Sequence, residues 1–128
     1  VEKIGDLDGL ERTGALYAQV INHEVGENAL KNMRQYYTEM LAQYPDVMTA
    51  TEVSTIIGYG KTTVNNWCRK GHLKAFKRNN MNHIPKVYLI EFCYSKYFRT
   101  ITRKSDWHIR ALQEFSRWQV MRGLKTKE

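Results

Sequence analysis

Apolar positions along this chain change their spacing several times, and each change marks an element. Between residues 7 and 25, Leu10, Tyr17, Val20, Ile21 and Val25 recur at roughly helical steps. Gly9 and Gly14 each weaken that helix by about 1 kcal/mol relative to Ala. Gly26 breaks it. From Asn28 to Tyr44 the pattern predicts a stronger helix, with Leu30, Met33, Tyr37, Met40, Leu41 and Tyr44 on one side and Pro45-Asp46 as the stop. The first 46 residues therefore read as a helical hairpin.

From residue 48 the elements shorten. Thr49-Ala50-Thr51-Glu52 is a capping box, since the Thr49 hydroxyl can accept from the Glu52 N–H while the Glu52 carboxylate reaches back. Val53, Ile56 and Ile57 then face inward, and Gly58 ends the helix. Lys61 to Lys70 forms the next helix. At 100° per residue, Val64, Trp67 and Cys68 share one face and Thr62, Asn66 and Arg69 lie opposite, flanked by Asn65 and Lys70. Gly71 supplies a left-handed cap. Leu73 to Lys77 has strand character, Arg78 to Met81 makes a loop, and Asn82 to Ile84 returns as a second strand. With no glycine at its tip, this hairpin is expected to be wide.

Pro85 suits the first position of a helix in which Val87, Leu89, Ile90, Phe92 and Cys93 lead to about Phe98. Ser105 caps a last helix carrying Ile109, Leu112, Phe115 and Trp118 at three- and four-residue steps, and the tail from Gly123 frays. The succession predicts a mainly α fold: a winged helix-turn-helix with a small two-stranded β-hairpin wing and extra helices at both ends. Three parts follow, 1–46 as an acidic helical hairpin, 47–98 as the winged domain, and 99–128 as a C-terminal helix packed on it.

Charge adds a direction to this picture. The 128 residues are 42% hydrophobic and 12% aromatic, enough for a packed core, and the net charge is +7. Residues 1–47 hold four Lys/Arg against eight Asp/Glu, a net of −4, whereas residues 48–128 hold sixteen against five, a net of +11. The second part favours a polyanion, nucleic acid first and a membrane surface second. Two cysteines, Cys68 and Cys93, fit a reducing cytoplasm and need no disulfide scaffold. No apolar run approaches the ~18 residues of a spanning helix, and no signal-peptide pattern opens the sequence.

The chemistry concentrates on the 61–70 helix. Asn side chains pair with adenine edges in a major groove, and Arg binds guanine bidentately. The residues expected on DNA are Lys61, Thr62, Thr63, Asn65, Asn66, Arg69 and Lys70, with Lys74 on phosphate beside the helix. In the hairpin, Lys77, Arg78, Asn79 and Asn80 are expected to reach a minor groove or the adjacent backbone. The plain alternatives are a solvated helix face and a solvated turn.

Other echoes are weaker. Gly60-Lys61-Thr62 matches the end of a phosphate-binding loop, but Thr55 stands where that motif needs glycine, and a helix rather than a strand precedes it. Cys68, His72, His83 and Cys93 lack paired zinc spacing. No nucleophile–base set or carboxylate pair stands out. Tyr88, Tyr94, Tyr97, Phe98, Trp107, Phe115 and Trp118 sit at core spacing, with a single-strand stacking platform as the sharper alternative.

The residues Thr63-Val64-Asn65-Asn66-Trp67, Gly71-His72-Leu73-Lys74-Ala75-Phe76, Ile84-Pro85 and Leu89-Ile90-Glu91-Phe92 resemble the excisionase-type, MerR-like helix-turn-helix family of bacteria and their mobile elements. The likeness covers residues 48–92. It implies double-stranded DNA binding, with Val64 and Trp67 as core residues. Tyr59-Gly60 departs from the family pattern, where a hydrophobic residue and then Ser are more usual.

Together these observations lead us to expect a sequence-specific double-stranded DNA-binding protein without catalytic activity, cofactor or metal. Its expected job is that of a transcriptional regulator or accessory factor of a bacterial mobile element, cytoplasmic and nucleoid-associated when bound. The alternatives are an excision factor that bends DNA during recombination and a protein-interaction adaptor. The acidic segment, residues 7–45, is expected to mediate homodimerisation or docking to a protein partner.

Overall fold

A computed structural model of the chain describes residues 26–123; the helix expected over 7–25 and most of the tail from Gly123 lie outside the described residues. Among the described residues the order is α1 (Glu27–Met40), β1 (Val47–Thr49), α2 (Ala50–Ile57), α3 (Lys61–Arg69), β2 (Phe76–Arg78), β3 (Met81–Pro85), α4 (Lys86–Cys93), α5 (Lys96–Arg99) and α6 (Asp106–Met121). The fold is mainly α with a small antiparallel sheet, as the apolar spacing predicts.

Five local differences have physical causes. Helix α1 stops at Met40, before Pro45, and residues 41–44 form a looser turn. Two carbonyls of that turn are held by the first side chain of α4: Lys86 Nζ donates to Tyr44 O at 2.7 Å and to Ala42 O at 3.3 Å. The wing has three strands rather than two, in the order β1-β3-β2. Val47, Met48 and Thr49 pair with Pro85, Ile84 and His83, a contact between positions far apart in sequence that local pattern does not reveal.

The hairpin tip is tight. Asn79 and Asn80 take φ of 54° and 62°, the two left-handed residues of a type I′ turn, which asparagine tolerates nearly as glycine does. Finally, the helix after the wing breaks at Tyr94. Ser95 accepts from Phe98 N at 3.2 Å and donates to Phe92 O at 2.7 Å, so one hydroxyl ends α4 and starts α5. Pro85 itself is extended (φ −60°, ψ 135°) and precedes α4 as its cap residue, because it is still paired to Val47 in the sheet.

One core runs through all of these elements except β2, whose three residues are exposed. Val53, Ile57, Val64, Ile84, Leu89, Cys93 and Phe98 are fully shielded, and so is Leu41 just after α1. Met33 and Tyr37 from α1 and Leu112 and Phe115 from α6 join the same cluster. Helix α1 packs against α4 and α6. The Tyr36 hydroxyl donates to Ala111 O at 2.7 Å, and Glu39 receives Trp118 Nε1 at 3.2 Å and Arg122 Nη2 at 2.8 Å. The apolar side of α1 is thus buried within the fold, and the core continues across positions 46 and 98. No described helix is long and apolar enough to cross a membrane.

Candidate nucleic-acid interface

The start of α2 forms as the capping-box spacing predicts. Glu52 N donates to Thr49 Oγ1 at 3.2 Å, and Thr49 N donates to Glu52 Oε1 at 2.9 Å. Gly58 closes the helix at φ +79°. A Cβ there would sit 3.2 Å from Ser105 Cβ and 3.3 Å from Ser105 Oγ, so glycine serves both the turn and the close approach of α6.

The next residue, Tyr59, is held by the flanking helix α6. Its hydroxyl lies 2.6 Å from His108 Nδ1 on α6. Its ring meets Trp67 edge-on at 5.0 Å and Phe98 at 5.8 Å, and its carbonyl accepts from Ser54 Oγ at 2.6 Å. Ser105, the cap of α6, accepts from His108 N at 3.1 Å and donates to Ile57 O at 2.7 Å. The turn before α3 is therefore tied at several points to α6.

Gly60 caps α3 without a side-chain hydrogen bond. Val64 and Trp67 anchor the helix, at 0% and 5% exposure. Trp67 also packs on Phe92 at 4.9 Å. The backbone leaves α3 through Gly71 at φ +85°, with His72 N and Leu73 N both donating to Trp67 O. This wrap sends the chain back toward α3 as the wing.

The wing's alternation decides which of its side chains can share a surface with α3. Phe76, Lys77 and Arg78 pair with His83, Asn82 and Met81. Asn82 lies two residues from the buried Ile84 and so on the same inner face, with Lys77 opposite it. Asn82 Nδ2 donates to Asn65 Oδ1 at 2.8 Å, bolting the wing to α3. Arg78 belongs to the other face, with Phe76, whose ring stacks on His83 at 5.5 Å.

Between α3 and the wing lies a groove of about 470 Å³. Lys61, Asn65, Asn66, Arg69, Lys77 and Asn80 line it, together with Asn82, Met81, Cys68 and the start of α2. Six of the expected contact residues thus converge. Thr62 and Lys70 are exposed on α3 outside the groove and Thr63 is half-buried. Asn79 occupies the tip, and Lys74 sits with its Nζ 5.4 Å from the Tyr88 ring centroid. Asn82 was not among the expected residues, although its spacing from Ile84 could have flagged it.

Charge follows the same surface. Between Glu52 and Glu91 the chain carries seven Lys/Arg and no Asp or Glu, and no carboxylate lines the groove. Arg69 Nη2 donates to Asn66 Oδ1 at 3.1 Å. Cys68, expected in the core with Cys93, is half-buried and faces this groove. Burial pushes its thiol up, against the pull of Lys77. Cys93 is buried, and its thiol is raised by desolvation. Among the described residues no three His, Cys, Asp or Glu side chains come together as metal ligands.

Most of the aromatics at core spacing pack inward. Phe98 and Phe115 are buried, Trp107 and Trp118 half-buried. Tyr97 is more open and stacks on His72 at 3.8 Å.

Residues 47–93 match the family model described as a helix-turn-helix domain, a family of excisionase-like domains. No curated protein and no solved structure matches the chain.

Proposed function

We propose that the helix-turn-helix domain at residues 47–93 makes this chain a sequence-specific double-stranded DNA-binding protein. In this reading α3 enters the major groove, and the wing meets flanking backbone or minor groove. The observation that carries it is the groove shared by α3 and the wing, cationic at Lys61, Arg69 and Lys77 and free of carboxylates. Lys61 and Lys77 serve phosphate; Asn65, Asn66 and Arg69 face base edges. Thr62, Thr63, Lys70, Lys74, Arg78 and Asn79 form the outer contacts, which reach DNA only along the flanks of the groove. Catalysis has no part in this mechanism, and no residue is assigned to it.

The process we infer is regulation of transcription, or service as an accessory factor, on a bacterial mobile element. This rests on the resemblance to excisionase-type domains. Self-association or partner docking is assigned to residues 7–25 and the outer side of α1, because Met33, Tyr36 and Tyr37 are buried inside the fold. Equilibrium binding of the full chain to mixed genomic DNA at increasing salt tests the central claim. Micromolar affinity that falls steeply with salt is expected. Binding that is absent at low salt would instead favour a protein-interaction adaptor. A monomeric mass by light scattering at tens of micromolar would remove the self-association claim.

A further inference from the structure

Resting on that reading, we propose that the α3 face is built to read guanine, because its base-facing groups offer hydrogen-bond donors while the oxygens of Asn65 and Asn66 each already accept one bond within the protein. A guanidinium has no acceptor. The 3.1 Å contact from Arg69 Nη2 to Asn66 Oδ1 therefore fixes the Asn66 amide, with its oxygen toward Arg69 and its Nδ2 hydrogens left for DNA. Asn65 Oδ1 is likewise engaged, accepting from Asn82 Nδ2 at 2.8 Å in a half-buried position.

An asparagine that reads adenine must offer an acceptor to N6 and a donor to N7 from the same amide. Asn65 and Asn66 each have one of the two lone pairs on that oxygen engaged internally, which restricts the direction from which adenine N6 can be accepted. Cytosine presents a donor and calls for a carboxylate, and none lines the groove. Guanine presents N7 and O6, two acceptors, which match the Arg69 fork and the amide hydrogens of Asn66. Lys61 and Lys77, the other cations in the groove, are also donors only. The Asn66 carbonyl then acts as a brace that restrains the guanidinium, lowering the rotamer cost of a bidentate contact.

The test is selection of bound duplexes from a random library with the full chain, followed by 7-deazaguanine substitution at the enriched steps. Guanine is expected at the contacted steps, and loss of N7 should weaken wild-type binding about ten- to a hundredfold. Arg69→Lys should lose the guanine preference while keeping the wild-type salt slope, since the charge is unchanged. Enriched sites with only A·T pairs at the contacted steps, or guanine sites indifferent to N7 removal, would overturn the inference while leaving sequence-specific binding intact. Enrichment of no sequence at all would overturn the DNA-reading proposal itself. The 7-deazaguanine measurement uses the wild-type chain, so it decides the matter even if Arg69→Lys folds poorly.

Discussion

Acid should loosen this protein through a single buried histidine. His108 has 0% exposure. Its ring stacks on Phe98 at 3.7 Å and 8°, its Nδ1 meets the Tyr59 hydroxyl at 2.6 Å, and its Nε2 has no hydrogen-bond partner. Charging the ring would place an N–H⁺ in that unpartnered position. Burial, aided by the nearby Lys104 cation, pushes its pKa down to about 3 from an ordinary 6.5. A base whose folded pKa is depressed contributes stability that is fully present above its unfolded pKa. That stability is lost as pH falls below 6.5, down to the folded value.

At pH 5 the chain has moved 1.5 units into that window, and at about 1.4 kcal/mol per unit the loss is about 2 kcal/mol. Urea unfolding at pH 7.5 and pH 5 measures it, with His108→Phe as the control that keeps a flat ring against Phe98. The wild type should lose about 2 kcal/mol more than the variant between the two conditions. Parallel losses in the two proteins would refute the assignment, because other titrating groups are common to both.

Three further outcomes are expected. Gly58→Ala should lower stability by about 1–3 kcal/mol in thermal or urea unfolding, since φ of +79° and the 3.2 Å approach of Ser105 Cβ both oppose a side chain. Gly60→Ser should raise it by about 0.5–1 kcal/mol, because that cap position has φ of −64°, open space around it and no side-chain acceptor. Lys77→Ala should weaken binding to selected and random duplexes alike and reduce the slope of log affinity against log salt by about 1, measured by fluorescence anisotropy.

What was legible in the sequence was local. The capping box at Thr49 and Glu52 involves neighbours, and the two faces of α3 follow from 100° per residue. Both needed only short-range geometry; the capping box formed as read, and so did the faces of α3 except at Cys68, which is half-buried and turned to the groove. The wing's third strand was not legible because Val47–Thr49 is short, with only Met48 fully buried, and its partner β3 is distant in sequence. The tight tip was misread because the turn uses Asn79-Asn80 where glycine is the stronger signal. Within the candidate site, Asn66 and Arg69 were legible as one helix face. Their mutual hydrogen bond, and the Asn82–Asn65 bolt, depend on side-chain directions that only the packed wing supplies.

The two residues that open the turn before α3 connect these local and distant effects. Gly58 lets Ser105 approach, and the Tyr59 hydroxyl meets His108. Each is fully accounted for only by α6, which lies outside the matched segment 47–93. The same turn sets the direction in which Lys61 begins α3, and Tyr59 also packs on Trp67 from that helix. A contact that holds both the start and the buried side of α3 constrains its tilt toward the groove. Helix α6 is therefore joined, through Ser105 and His108, to the turn from which α3 starts.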